Sequence, residues 1–248
     1  MTCMATRAVH IVIDAADPAR LAAFWAAALG WEVAAAEPDE VVVAPPGAEY
    51  PSLEALPLVF VPVGDPKTAK NRVHLDLATI SGEHQGTEIA RLLALGATRA
   101  DIGQGEVPWE VLADPEGNEF CVLEPREVYL DAKPIAAVVT DSADPEANAR
   151  FWAIAAGWEL LSSDPGFASL RAPGGSGPYL ELLRNTGAKT VKNRIHVDVA
   201  PPRDGDTQAE ARRLQAAGAV PADVGQGDAT WVVLADPEGN EFCVLSLR

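Results

Sequence analysis

Apolar residues in this chain fall into short runs, broken by proline and glycine, and the runs recur in a fixed order. Ala8 to Ile13 reads as a strand. Asp17-Pro18 then opens a helix with a carboxylate cap and a proline in its first turn, and Leu21, Trp25 and Leu29, spaced four apart, carry it to Gly30. Trp31 to Ala36, Glu40 to Ala44 and Pro57 to Val63 follow as strands between turn-rich segments. After Lys70-Asn71-Arg72 the order restarts: a strand from Val73 to Ala78, a helix from Gly86 to Leu95, then strands from Ala97 to Ala100, Trp109 to Leu112 and Asn118 to Leu123. The pattern predicts two βαβββ modules in the first half.

The second half repeats the first. Leu-Ala-Asp-Pro-Glu-Gly-Asn-Glu-Phe-Cys-Val-Leu stands at Leu112 to Leu123 and again at Leu234 to Leu245, an offset of 122. Lys70, Asn71, Arg72, His74 and Asp76 keep that offset to Lys192, Asn193, Arg194, His196 and Asp198. Upstream, Asp17-Pro18, Phe24-Trp25 and Gly30-Trp31 match Asp144-Pro145, Phe151-Trp152 and Gly157-Trp158 at an offset of 127, so the second copy is five residues shorter in its middle. A period of roughly 120 exceeds the 20 to 50 residues of solenoid repeats. Each copy is therefore read as a domain, 7–125 and 135–248, joined by Arg126 to Pro134, with four βαβββ modules in an α+β fold.

Composition narrows the partners. Asp and Glu outnumber Lys and Arg by 36 to 19, a formal charge of −17, which repels nucleic acid and anionic membranes. Met1-Thr-Cys-Met-Ala-Thr-Arg has no charged segment followed by an apolar run, and no stretch reaches the ~18 apolar residues of a membrane span; a cytoplasmic protein is expected. Cys121 and Cys243 occupy equivalent apolar runs and read as buried thiols, not as a disulfide framework.

The chemistry-bearing residues come in pairs. His74 and Asp76 alternate with Val73, Leu75 and Leu77 and so share one strand face, as do His196 and Asp198. A carboxylate beside an imidazole fixes its tautomer and suits a general base or an oriented hydrogen-bond donor; a satisfied polar cluster, with Asp76 paired to Arg72, is the plainer alternative. Arg72 and Arg194 could meet a ligand's carboxylate or phosphate, or could belong to a connector pairing with Asp101, Glu106 or Asp114. Trp109 and Trp231 offer aromatic surface to a planar ligand. Glu119 and Glu241, two residues before the cysteines, are either rim residues or carboxylates displaced by roughly 6.6 Å along the strand.

A first strand with a histidine, an Asp-Pro helix start, Phe-Trp, Gly-Trp, His-x-Asp and a closing Asp-Pro-Glu-Gly-Asn turn together resemble the vicinal oxygen chelate superfamily. Lys-Asn-Arg-x-His-x-Asp with Asp-Pro-Glu-Gly-Asn-Glu-Phe-Cys looks most like its glyoxalase-like domain branch, over nearly the whole chain twice. The resemblance implies half-open barrels, one pocket per copy, and an internal pseudo-dimer that works as a monomer or a homodimer. In metal-dependent relatives, ligands come from a module's first strand and from a glutamate four residues after the closing turn; here that place holds Cys121 and Cys243. The resemblance thus leaves His10, His74 and Cys121 as a divalent-metal set, zinc for instance, in the first domain. Ala137 replaces His10 in the second. The expectation is a cofactor-free protein binding a small apolar or aromatic molecule, as a bleomycin-resistance type of protein or a metal-independent enzyme. The alternative is a metal-dependent lyase or isomerase with one site.

Overall fold

The structure, a computed structural model, describes residues 6–48, 52, 55–132, 134–175, 177–227 and 229–246. Residues 1–5, which include the start read above for a leader, and 247–248, the end of the second domain, lie outside them. The first module runs β1 (Arg7–Ala15), α1 (Pro18–Leu29), β2 (Glu32–Ala36), β3 (Val41–Ala44) and β4 (Leu58–Pro62). The second runs β5 (Val73–Leu77), α2 (Gly82–Leu95), β6 (Thr98–Arg99), β7 (Glu110–Ala113) and β8 (Glu119–Val122). A single 3₁₀ turn at Glu127–Tyr129 interrupts the connector. The third module is β9 (Ile135–Ser142), α3 (Pro145–Ala156), β10 (Glu159–Asp164), β11 (Phe167–Arg171) and β12 (Tyr179–Arg184). The fourth is β13 (Ile195–Ala200), α4 (Thr207–Ala216), β14 (Val220–Pro221), β15 (Val232–Ala235) and β16 (Glu241–Val244).

Local chemistry explains the helix ends. Asp17 accepts from the backbone N–H of Arg20 at 3.1 Å, Pro18 starts α1, and Gly30 closes it at φ +66°, where a side chain would be strained. The spacing predicts α2 from Gly86, yet it begins at Gly82, because the Ser81 hydroxyl accepts from His84 N–H at 3.0 Å and caps an earlier turn.

The modules assemble into two eight-stranded mixed sheets. The first sheet has the order β14-β15-β16-β13-β1-β4-β3-β2, and the second β10-β11-β12-β9-β5-β8-β7-β6. Each sheet therefore takes one module from each copy, seamed by antiparallel β1 with β13 and β5 with β9. This corrects the expectation of one pocket per copy: each sheet face is composite and belongs to neither copy alone.

Within a copy, the two modules meet on their helix-bearing sides. Phe24 and Trp25 of α1 pack tilted and edge-on, respectively, against Phe120 of β8, with centroids 6.3 and 5.1 Å apart. Ile11, Leu58, Leu75, Val138, Leu180, Val197 and Phe242 all join this one core. The closing turn locks the same contact. Asp114 Oδ1 accepts from Glu116 and Asn118 N–H, Asp114 Oδ2 accepts from Trp25 Nε1 at 3.1 Å, and Glu116 accepts from Ala16 and Asp17 N–H at the start of α1. Asp236, Trp152 and Glu238 repeat the arrangement in the second copy.

Candidate functional site

Strand alternation sends His74 and Asp76, and likewise His196 and Asp198, to the face opposite the core, since Val73, Leu75, Leu77, Ile195, Val197 and Val199 face inward. On the first sheet, the register sets His10 of β1 opposite Asp198 and Val12 opposite His196. Cys243 joins from β16, its N–H donating to Asp198 Oδ1 at 3.0 Å. His196 Nε2 lies 3.3 Å from Asp198 Oδ1 and 3.8 Å from Cys243 Sγ. Its Nδ1 is buried with no hydrogen-bond partner among the described residues.

The second sheet carries the same cluster with one loss. His74 Nε2 is 3.4 Å from Asp76 Oδ1, Cys121 stands beside Asp76 in the parallel register, and Ala137 sits opposite Asp76 where the first sheet has His10. The metal set His10, His74 and Cys121 is thus not formed: His10 lies on the first sheet, the other two on the second. The reason is the exchange of partner modules. What gathers instead is His74 with Asp76 and Cys121, and His196 with Asp198 and Cys243, each trio with donor atoms within 4.8 Å of one another.

Electrostatics follow from burial. Burial pushes the Cys121 and Cys243 thiols far up, and the adjacent Asp76 and Asp198 carboxylates reinforce it. Burial also lowers His10, partly opposed by Asp198.

The other candidates are committed elsewhere. Glu119 accepts from Lys67 Nζ at 2.7 Å and Asn71 N–H at 3.1 Å, and Glu241 accepts from Lys189 Nζ at 2.6 Å and Asn193 N–H at 3.2 Å, so both oxygens of each tie down a loop. Arg72 donates to the Gly187 and Asp141 carbonyls and lies 3.9 Å from Glu238; Arg194 donates to the Asp65 and Asp14 carbonyls and to Glu116 at 3.2 Å. Both therefore clamp the copies together, with different partners from the Asp76, Asp101, Glu106 or Asp114 considered from sequence. They border a cleft of about 630 Å³ between the copies, whose lysines Lys67, Lys70, Lys189 and Lys192 are each paired with a carboxylate. Trp109 is partly buried with Arg126 5.7 Å from its ring, whereas Trp231 is 43% exposed.

Sequence reasoning missed Glu181, Tyr129 and Tyr179. Glu181 of β12 is beside Val139, which is itself opposite His74. Burial raises its carboxyl to about 7, against the Tyr129 hydroxyl that donates to Oε1 at 2.7 Å. One charge inside Tyr179-Leu-Glu-Leu-Leu was the available signal, since a carboxylate is rarely buried without a role or a partner.

A tetrahedral zinc with bonds of about 2.0 to 2.3 Å has ligand-to-ligand edges of roughly 3.3 to 3.8 Å. The His196 to Asp198 and His196 to Cys243 separations fall in that range, and nitrogen, oxygen and sulfur are all acceptable donors. The residues present fit a divalent ion, provided that the thiol gives up its proton.

The glyoxalase-like domain family profile matches residues 10–123 and again 137–245. Glyoxalase I from Zea mays aligns with a TM-score of 0.64 at 17% identity, covering 96% of this chain and 92% of that one. A putative dioxygenase from Bacillus subtilis subsp. subtilis str. 168 aligns at 0.63 and 14% identity, covering 97% and 85%. At such identities the likeness shows the fold alone. Comparison with curated proteins finds no matching sequence. Among the described residues, no helix is long and apolar enough to cross a membrane.

Proposed function

Because the chain belongs to the glyoxalase-like domain family in both of its halves, we propose that it binds a small apolar or aromatic molecule bearing an O–H, N–H or acidic C–H on a concave sheet face. The observation that carries this is the buried His-x-Asp pair. His196 Nε2 faces Asp198 Oδ1 at 3.3 Å, which favours the tautomer with the proton on Nε2 and leaves the lone pair on Nδ1. That Nδ1 is buried and unpartnered, a state costing about 1–3 kcal/mol that a ligand's donor would relieve. Asp198, anchored by Cys243 N–H, holds the ring in place; His196 accepts the ligand's hydrogen bond or its proton. Free thiols at Cys121 and Cys243 suit a reducing compartment such as the cytoplasm.

The test is a thermal-shift and calorimetric screen of small hydroxyaromatic and hydroxycarbonyl compounds. A hit should lose at least about tenfold in affinity, or ~1.4 kcal/mol, in one or both of His196→Ala and His74→Ala. Absence of any hit, or binding that neither substitution weakens, would sink the reading.

A second reading is favoured by the donor spacing: a divalent metal held by His196, Asp198 and Cys243, with His10 on the neighbouring strand. When bound, such an ion would supply Lewis-acid polarisation of a carbonyl or enediolate oxygen, as in a lyase or isomerase. Plasma mass spectrometry on untagged protein, purified without chelator, separates the readings. About one ion per chain, lost in His196→Ala, supports the metal; metal-free protein leaves the imidazole reading.

A further inference from the structure

We infer that the chain has a single ligand face, on the first sheet, because the connector between the copies has become the built-in occupant of the second. This rests on the ligand-binding reading above.

The second face is filled from Ala137 outward. Its methyl group replaces the His10 imidazole, and the neighbouring position on β12 is Tyr179, paired with Ala137 in the register. Tyr129 of the connector stands edge-on to Tyr179, centroids 5.5 Å apart, and these rings form one apolar cluster with Ala137, Val139, Cys121 and Val111. Polar bonds hold the connector there. Tyr129 donates to Glu181 at 2.7 Å, Tyr179 donates to the Val128 carbonyl at 3.1 Å, and Arg171 grips both oxygens of Asp131 at 3.1 Å. Arg126 lies 5.7 Å from the Trp109 ring and 5.8 Å from the Tyr129 ring.

Among the described residues, the first face lacks these features. Val59 is paired with Val12, opposite His196, as Glu181 is paired with Val139, opposite His74, so no carboxylate stands there to hold a phenol. The accessibilities diverge at the cysteine edge of each face, not at the imidazoles, His196 being 9% exposed and His74 partly buried. Cys121 and Leu123 are 6% and 2% exposed, while their counterparts Cys243 and Leu245 remain partly exposed. A tethered occupant competes at an effective concentration in the millimolar range, so a dissolved ligand meets on the second face a competitor that the described residues do not supply on the first.

Alkylation rates of the two thiols test the seal without a ligand. Burial and an adjacent aspartate push both thiols up, while Cys243 Sγ also lies 3.8 Å from His196 Nε2, so access is read chiefly from how each rate changes on substitution. Native protein is treated with iodoacetamide and the two tryptic peptides are quantified by mass spectrometry. Cys243 should react about tenfold faster than Cys121, because Cys121 must wait for local opening. Tyr129→Ala should bring the rates within about threefold by speeding Cys121 alone. If Tyr129→Ala speeds both thiols, the fold as a whole has loosened, and Asp131→Ala, which only unties the connector from Arg171, decides by whether Cys121 alone accelerates. Equal rates in the wild type, or a ratio that neither variant changes, overturns the seal. The two readings fail separately: a screen that finds no ligand leaves the thiol rates untouched, and equal thiol rates leave ligand binding possible on both faces.

Discussion

Replacing Glu181 by glutamine should flatten the dependence of stability on pH. The carboxyl is buried on β12, with the Tyr129 hydroxyl and Arg126 of the connector on one side and His74 and Asp76 of β5 on the other, and its folded pKa is raised from 4.5 to about 7. Below the unfolded value the group is neutral in both states and costs nothing. Between 4.5 and about 7 the unfolded chain has released the proton while the folded chain retains it, so stability falls as pH rises. At about 1.4 kcal/mol per pH unit, that gap amounts to a loss of roughly 3 kcal/mol, complete above pH 7. Glutamine still accepts from Tyr129 but cannot ionise. Urea unfolding of both proteins, followed by tryptophan fluorescence from pH 5 to 8, stays above the isoelectric point of about 4.5, where association is favoured. The variant should gain on the wild type by about 2–3 kcal/mol over that range, the other carboxylates contributing equally to both. Parallel curves would refute the assignment of a neutral, buried Glu181.

Tyr129→Ala should lower stability by about 3–5 kcal/mol through loss of a buried ring, whereas Tyr129→Phe should cost only about 1–2 kcal/mol; urea midpoints distinguish them. Asp236→Ala strands the N–H groups of Glu238, Asn240, Asn148 and Trp152 and should cost at least about 3 kcal/mol, read as a drop in thermal midpoint. Arg72→Ala and Arg194→Ala should each cost about 2–4 kcal/mol by breaking links between the copies, the former by about 1 kcal/mol more, because Arg72 Nε also donates to Asn240 Oδ1 at 3.3 Å whereas Arg194 Nε has no partner among the described residues. A silent substitution at either position in denaturant unfolding would show that the clamp is dispensable.

Much of this fold is legible in the chain because its local signals agree. Asp-Pro starts and glycine ends mark α1 and α3, period-two alternation marks the inward faces of β5 and β13, and the duplicated turn marks equivalent positions. Partner choice is a different matter. The resemblance groups His10 with His74 because both lie on first strands of their modules, yet a strand edge presents only backbone N–H and C=O groups, which carry no sequence specificity. The helix side of each module is consumed inside its own copy, Trp25 against Asp114 and Phe120. The edges of β1 and β5 are thus left to pair with β13 and β9 of the other copy. Alternation could place His10 on the correct face, but only the burial of Trp25 reveals which sheet that face belongs to. The missed residues follow from the same preference for matches. Reading two copies by their identities draws the eye to His74, His196 and the shared cysteines, whereas the distinction between the faces lies where the copies differ. Ala137 stands for His10, Glu181 for Val59, and Val128-Tyr129-Leu130 is an apolar triplet in a segment expected only to connect. In a duplicated chain, shared residues maintain the scaffold in both halves, and a task confined to one half has to be written in the residues that are not shared.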